Sequence, residues 1–114
     1  MSKLLVTGSI LLPPGFVLPH GAVAYVRLLD TSLADAPSTV VAEQAIEGIA
    51  AGKEIGFALY GEIRNWRADY NVSVHIDVDG DRRVSVGDCI TVQSYPVITF
   101  GRPRKVRVQT VQVR

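Results

Sequence analysis

Four aspartates are the residues of this 114-residue chain whose type and spacing best fit a chemical role. Asp77, Asp79 and Asp81 occupy every second position at the end of an alternating segment, and Asp88 follows a few residues later. Carboxylates spaced in this way can point together, with Asp88 closing the ring. Because Ca²⁺ binds several oxygen ligands from a tight, acid-rich loop, the spacing predicts a calcium site formed by these four side chains.

A polar hairpin turn is the alternative interpretation of the same residues. An EF-hand loop needs Gly directly after its third acid and Glu at its end, whereas here Gly80 precedes the third acid and Arg82 and Arg83 follow it. Asp79-Gly80 is a strong turn pair, and the two arginines can neutralise the acids without a metal. The sequence therefore favours the turn over the calcium site.

The histidines and the cysteine are the remaining candidates for chemistry. Ser73, His75 and Asp77 share one face of a strand, but residues two apart on a strand lie roughly 6–7 Å apart and do not converge as a catalytic triad does. A zinc site would have to add His20 and Cys89. We therefore expect His75 to be exposed and Cys89 to be a small core residue. No catalytic residue and no cofactor are predicted.

Composition excludes several classes of protein. Twelve basic against eleven acidic residues leave a net charge of +1, whereas a nucleic-acid-binding domain carries a strongly basic surface. The one local basic bias, Gly101–Lys105, is interpreted as a solvated edge. A hydrophobic content of 47% fits a globular protein with a core.

No membrane span and no signal peptide are recognised in the sequence. The single cysteine allows no internal disulfide. We expect a cytoplasmic protein, or a protein of the cell envelope if an export signal and a lipobox have been removed. The oligomeric state is left open.

Alternating apolar residues predict short strands along the whole chain. In Tyr70–Val78, the clearest of them, valines and Ile76 alternate with polar residues, which predicts one apolar and one polar face. The other predicted strands are Lys3–Leu12, Ala22–Asp30, Thr39–Ile46, Lys53–Tyr60, Asp88–Ser94, Val97–Phe100 and Lys105–Val113. Their number and spacing predict an all-β fold: a single-domain antiparallel β-sandwich, residues 1–114, of about seven or eight short strands.

Local features refine this prediction. Gly8 is expected to mark a bulge, and a second bulge near Gln109-Thr110 would turn all the valines of the last strand inward. Gly61–Asp69 is expected to hold one helical turn, with Trp66 covering an end of the core. Val84 and Val86 are expected to form a short structured return after the acidic turn.

Two segments of the chain resemble the YbaY/YscW lipoprotein family. The first is Leu12–Gln44, in which the SLADAP run is the most specific piece, and the second is Gly87–Val97. The matching pieces of the first segment are Pro19–Ala22, Val26–Asp30, Ser32–Pro37 and Ala42–Gln44. The lipid-modified cysteine of the lipoprotein members has no counterpart here, since Cys89 is internal.

The resemblance implies a small β-sandwich and a non-enzymatic role in binding or assembly. The better-understood relatives are pilotins, outer-membrane lipoproteins that bind a secretin subunit and help to localise or assemble it. A protein partner is therefore expected, secretin-like if the pilotin role holds, and no catalytic residues are carried over. Ser32, Asp35 and Pro37 are interpreted as structural residues of the SLADAP turn.

Three functional hypotheses follow, in order of preference. The first is a module that binds a protein through a sheet face or an exposed edge. The second is a calcium-binding β-sandwich that uses the Asp77–Asp88 turn. The third is a small hydrolase whose site assembles from residues distant in sequence.

Overall fold

The strands predicted from the sequence pair into two sheets. The computed structural model describes residues 3–33, 36–47, 49 and 54–114, and nine strands lie within them. The strands are β1 (Lys3–Leu11), β2 (Val23–Asp30), β3 (Thr39–Ile46), β4 (Glu54–Gly61), β5 (Tyr70–Asp77), β6 (Cys89–Ile90), β7 (Pro96–Val97), β8 (Lys105–Gln109) and β9 (Val111–Gln112). A three-stranded sheet has the order β4-β1-β8, and a six-stranded sheet has the order β3-β2-β5-β6-β9, with β7 also paired to β5. The all-β prediction is confirmed.

The core fills the space between the inner faces of the two sheets. In the six-stranded sheet, Val26 lies opposite Val74, and both side chains are buried. From the three-stranded sheet, Ile10 and Val108 are completely buried and contribute to the same hydrophobic cluster. The alternation of apolar and polar residues therefore assigns the inner faces of β2, β4 and β5 correctly, whereas Leu4 on β1 and Val40 on β3 are exposed, because the strand pairing is irregular beside each of them. That the whole chain forms a single domain stays a prediction.

One strand pair departs from the antiparallel prediction. The strands β1 and β8 pair in parallel, with Thr7 opposite Lys105. The predicted bulge near Gln109-Thr110 is wrong, because the chain passes there from one sheet to the other. Thr110 is completely buried, and its N–H and its hydroxyl both donate to the carbonyl oxygen of Leu11, at 3.0 and 2.8 Å. Val111, beyond this crossing, is exposed rather than inward.

Gly8 marks a close approach between strands, not the predicted bulge. The irregularity in β1 lies instead between Leu4 and Val6. A Cβ atom built on Gly8 would lie 1.9 Å from the carbonyl oxygen of Val106 and 2.8 Å from the ring of Phe57. Only glycine leaves room there for β8 and for the inward aromatic ring.

A glutamine side chain joins the two sheets where their edges meet. The carboxamide oxygen of Gln44, on the edge strand β3, accepts a hydrogen bond from the backbone N–H of Ala58 on β4, at 2.9 Å. This contact satisfies a main-chain donor that has no strand partner on that side. The sandwich is therefore closed along this edge by a side chain in place of a strand.

Several local predictions are wrong. No helical turn lies in 61–69, and Trp66 is 57% exposed instead of covering the core. Val84 and Val86 are exposed and form no strand. The strand predicted after the acidic turn shortens to β6, because the hydroxyl of Thr91 takes over as acceptor for the N–H of Val74.

We predict that Gly8→Ala destabilises the protein strongly, while Gly56→Ala does not. The new methyl group at position 8 meets a backbone oxygen at 1.9 Å, whereas a Cβ at position 56 meets nothing within 4 Å. Urea denaturation should show a loss of about 2 kcal/mol or more for Gly8→Ala and a change within about 0.5 kcal/mol for Gly56→Ala. Equal stability of the two variants would contradict the close approach.

Candidate functional site

The four aspartates lie in and beside a loop, 78–88, that joins β5 to β6. Ile76 pairs with Cys89, so the two strands do form the predicted antiparallel hairpin. Asp79-Gly80 does not close it as a two-residue turn, however, because the strands separate several residues earlier and later. Gly80 has a φ of 79° and provides one bend inside this longer loop. We call residues 78–88 the acidic loop.

The carboxylate of Asp77 organises the first half of the acidic loop. It is almost completely buried, at 1% exposure. One oxygen accepts the backbone N–H groups of Asp79 and Gly80, at 3.3 and 3.0 Å, and the other accepts the N–H of Arg82 at 2.8 Å. A buried carboxylate needs such donors, because it no longer forms hydrogen bonds with water.

The carboxylate of Asp88 organises the second half of the loop and is completely buried. Its Oδ1 accepts the N–H of Val78 at 3.0 Å, and its Oδ2 accepts the N–H of Ser85 at 3.2 Å. Oδ2 also lies 2.7 Å from Nε2 of His75. The two ends of the loop are therefore attached to one carboxylate that is itself held by β5.

The prediction that His75 is exposed is wrong. His75 is 8% exposed, although it lies on the face of β5 that alternation assigns to solvent. Its ring lies beside that of Tyr25 on β2, with 6.2 Å between the centroids, and the acidic loop folds back over this face. Periodicity along one strand carries no information about a loop that covers it.

The two arginines do not neutralise the aspartates through their side chains. Arg82 and Arg83 contribute backbone N–H groups instead, the first to Asp77 and the second to Asp81. The guanidinium of Arg82 lies over the ring of Tyr25, 5.6 Å from its centroid. The hydrogen-bond donors to the aspartates are therefore backbone N–H groups, whose positions cannot be recognised in the sequence.

The pKa values at this site follow from these contacts. Burial alone would raise the pKa of Asp88, but the hydrogen bonds from His75 and from the N–H groups of Val78 and Ser85 lower it below its usual value. A side-chain hydrogen bond shared with Asp77 and the hydrogen bond donated by the hydroxyl of Ser85 lower the pKa of Asp79 to about 2. Both loop carboxyl groups thus remain ionised at neutral pH.

The arrangement does not form a hydrolytic triad. The hydroxyl of Ser85 lies 2.9 Å from Asp79 and 3.5 Å from Asp88, so it contacts carboxylates and not the imidazole of His75. Activating a serine requires a histidine base between the hydroxyl and the carboxylate. Burial, followed by the charge of Asp88, raises the pKa of the Cys89 thiol to about 11, and the buried thiol stays protonated.

A second candidate site is a trough on the outer face of the three-stranded sheet. The floor of the trough consists of Thr7 and Ser9 on β1, and its cavity has a volume of about 740 Å³. Opposite these two residues on β4 lie Ala58 and Gly56, so the sheet surface that adjoins the floor also consists of small side chains. This outer face of the sheet therefore lacks the larger polar side chains that are common on solvent-facing sheet surfaces.

Charged and apolar side chains border the trough. Lys105 and Arg107 line one side, and Arg107 forms an ion pair with Glu54 at 2.6 Å. At one end, Leu4 lies opposite Tyr60, and these side chains are 48% and 59% exposed. Alternation along β1 groups Leu4 with the core residues Val6 and Ile10. The irregularity between Leu4 and Val6 turns Leu4 outward instead, and the pairing that makes it a neighbour of Tyr60 is not visible in the sequence.

The calcium site stays a prediction. Ligand oxygens of Asp77, Asp79, Asp81 and Asp88 lie within 4.8 Å of one another. The backbone donors that these carboxylates already accept account for the same convergence without a metal. We predict that the melting temperature is the same in calcium and in chelator, whereas a calcium-dependent rise would establish the site.

We predict that acid weakens the protein through Asp88. A carboxyl group with a lowered folded-state pKa contributes stability above its ordinary pKa, about 4, and loses it as the pH falls further. Asp88→Asn should cost about 1–3 kcal/mol at neutral pH and reduce the acid-induced loss below about pH 4. Asp81→Asn, in which one exposed hydrogen bond is affected, serves as the matched control. Equal acid sensitivity of wild type and Asp88→Asn, measured by urea denaturation, would contradict this role.

Comparisons with known proteins agree with the fold and with the sequence resemblance. The family model for YscW, described as a type III secretion system lipoprotein chaperone, matches residues 1–110. Among solved structures, an alternative pilotin from the type II secretion system of Vibrio cholerae is similar, with a TM-score of 0.81 and 34% sequence identity. The similarity covers 100% of this chain and 99% of that one. A search of curated proteins gives no significant match. The chain belongs to the YscW family of type III secretion system lipoprotein chaperones.

Proposed function

We propose that this protein is a non-enzymatic assembly module that binds a segment of a secretin subunit, as pilotins do. The observation that carries the proposal is the 34% identity, over the full chain, to a protein described as a pilotin. The lack of a serine–histidine contact in the acidic loop and the protonated state of Cys89 agree with a role without catalysis.

The trough is the surface that we assign to the partner. Small side chains on its floor let a partner segment approach the sheet closely, and Leu4 and Tyr60 provide exposed apolar area at one end. Aromatic side chains of this kind contribute strongly to binding energy at protein interfaces. Lys105 favours a segment that carries acidic side chains, whereas the charge of Arg107 is already paired with Glu54.

Side chains obstruct the addition of a strand to this sheet. Gln44 occupies the N–H of Ala58 at the β4 edge, and the hydroxyl of Tyr95 accepts the N–H of Gln109 at the β8 edge, at 2.8 Å. A segment that lies across the sheet face cannot form main-chain hydrogen bonds with the sheet. Its backbone N–H and C=O groups must therefore be paired within the segment itself, as they are in an α-helix.

We predict that Gly56→Tyr blocks partner binding without unfolding the protein. A side chain at position 56 has open space around it and would stand beside Ser9 on the trough floor. Biolayer interferometry with immobilised full-length protein, and with fragments of the secretin subunits of the same organism in solution, should show a Kd at least about tenfold weaker for the variant.

Thr39→Tyr is the matched control for this experiment. It adds the same side chain at an exposed position on β3, in the other sheet, and should leave the Kd unchanged. Binding of no secretin fragment to the wild type would contradict the proposed function. Equal binding by Gly56→Tyr and wild type would instead move the interface away from the trough.

A further inference from the structure

Two aromatic side chains project into solvent at one end of the sandwich. Trp66 is 57% exposed and Phe100 is 62% exposed, and they lie in the neighbouring loops 62–69 and 98–104. The hydroxyl of Thr99 donates to the carbonyl of Ala68 at 2.7 Å, which ties the two loops together. We call these two loops, with the adjoining start of β1, the basic end.

The backbone holds Phe100 outward at a conformational cost. Ile98 and Phe100 have φ angles of 75° and 59°, a region that residues with a side chain rarely adopt. Ile98 is buried in the core and Thr99 is buried against the neighbouring loop, so both anchor the segment. Strain of this kind persists only where surrounding contacts enforce it, and it is concentrated at functional sites.

An arginine lies against each exposed ring. The guanidinium carbon of Arg102 is 5.4 Å from the ring centroid of Phe100, and that of Arg104 is 5.6 Å from the ring centroid of Trp66. Arg102 also forms an ion pair with Asp69, at 2.8 Å. Each loop therefore presents an apolar ring beside a positive charge.

The surrounding residues give this end a positive charge. Within the two loops and the start of β1, five basic residues lie against two acidic ones, an excess of three charges in a chain whose net charge is +1. The basic residues are Lys3, Arg64, Arg67, Arg102 and Arg104, and the acidic ones are Glu62 and Asp69. Among the described residues, none of Arg64, Arg67 and Arg104 forms an ion pair with a carboxylate.

The shape of this end fits a flat, deformable partner better than a peptide. Peptide segments bind in grooves, but the nearby cavity of about 410 Å³ is lined by residues 4–7 and 103–105 and includes neither exposed ring. Aromatic side chains with adjacent Lys and Arg are instead typical of surfaces that lie in the headgroup region of a membrane.

We propose that the basic end binds the surface of membranes that contain anionic phospholipids. Trp66 and Phe100 insert between the headgroups, and Arg64, Arg67 and Arg104 contact the phosphates. The apolar end of the trough adjoins this surface, because Leu4 lies at the start of β1. A partner held in the trough would therefore be kept close to the bilayer, although membrane binding itself does not require the partner.

Trp66 is the only tryptophan of the chain, so its fluorescence reports directly on this surface. Adding vesicles of phosphatidylglycerol and phosphatidylcholine in equal parts should shift its emission to shorter wavelength. Pure phosphatidylcholine vesicles should have little effect, and high salt should reverse the shift, since it screens charges near a surface. A shift of the same size with neutral vesicles would overturn the proposal, as would no shift with anionic ones.

Two variants and two matched controls test the residues involved. Phe100→Ser should lower the vesicle partition coefficient roughly tenfold, and Arg64→Gln should lower it about fivefold. The controls, Val86→Ser and Arg83→Gln, remove an exposed apolar side chain and an exposed positive charge from the acidic loop and should leave the partition coefficient unchanged. Equal losses in variants and controls would show a general charge effect and overturn the assignment.

The outcome is independent of the proposed secretin interaction. Gly56→Tyr should bind vesicles like the wild type, even where it no longer binds a secretin fragment. Two results together would contradict the membrane proposal: the wild type does not bind vesicles, and Phe100→Ser and Arg64→Gln weaken the binding of secretin fragments. In that case the basic end is a protein-docking surface.

Discussion

Two buried carboxylates constrain the structure around the central strand β5. The carboxylates of Asp77 and Asp88 are buried away from water, so any of their oxygen atoms without a hydrogen-bond donor would destabilise the folded protein. The backbone N–H groups of the acidic loop provide those donors, together with Nε2 of His75. The backbone of Asp88 also accepts the N–H of Val113 at 2.8 Å. Through these contacts the loop, β5 and the end of the chain hold one arrangement.

The two ends of β5 therefore differ in character. At one end, the polar atoms are buried and hydrogen-bonded, and the aspartate side chains accept hydrogen bonds from the backbone of the acidic loop. At the other end, Trp66 and Phe100 are exposed, and the backbone at Ile98 and Phe100 lies in a conformation that costs energy. The exposed rings, and the trough beside them, are the places where this chain departs from a simple solvated sandwich.

The strand pattern could be predicted because it depends on neighbours along the chain. Valines at alternate positions of β5 point to the same side of a pleated strand in any fold, and the all-β architecture follows from several such strands. The position of Cys89 in the core followed from the same kind of local argument. The SLADAP run led to the family, although its Asp35 lies outside the described residues. The hydroxyl of Ser32 accepts the N–H of Asp69, which lies outside that turn, at 2.9 Å.

Residue types and their alternation thus determined the fold class, the inner faces of β2, β4 and β5, and the family. Tertiary structure alone decided the partners that come from distant parts of the chain. His75 is buried because a loop returns over it, and Gly8 is required because β8 pairs alongside in parallel. Trp66 is exposed, and its ring lies against the guanidinium of Arg104 from the loop 98–104 instead of the core. These outcomes depend on which segments contact one another in the folded protein, and the periodicity of a single segment gives no information about such contacts.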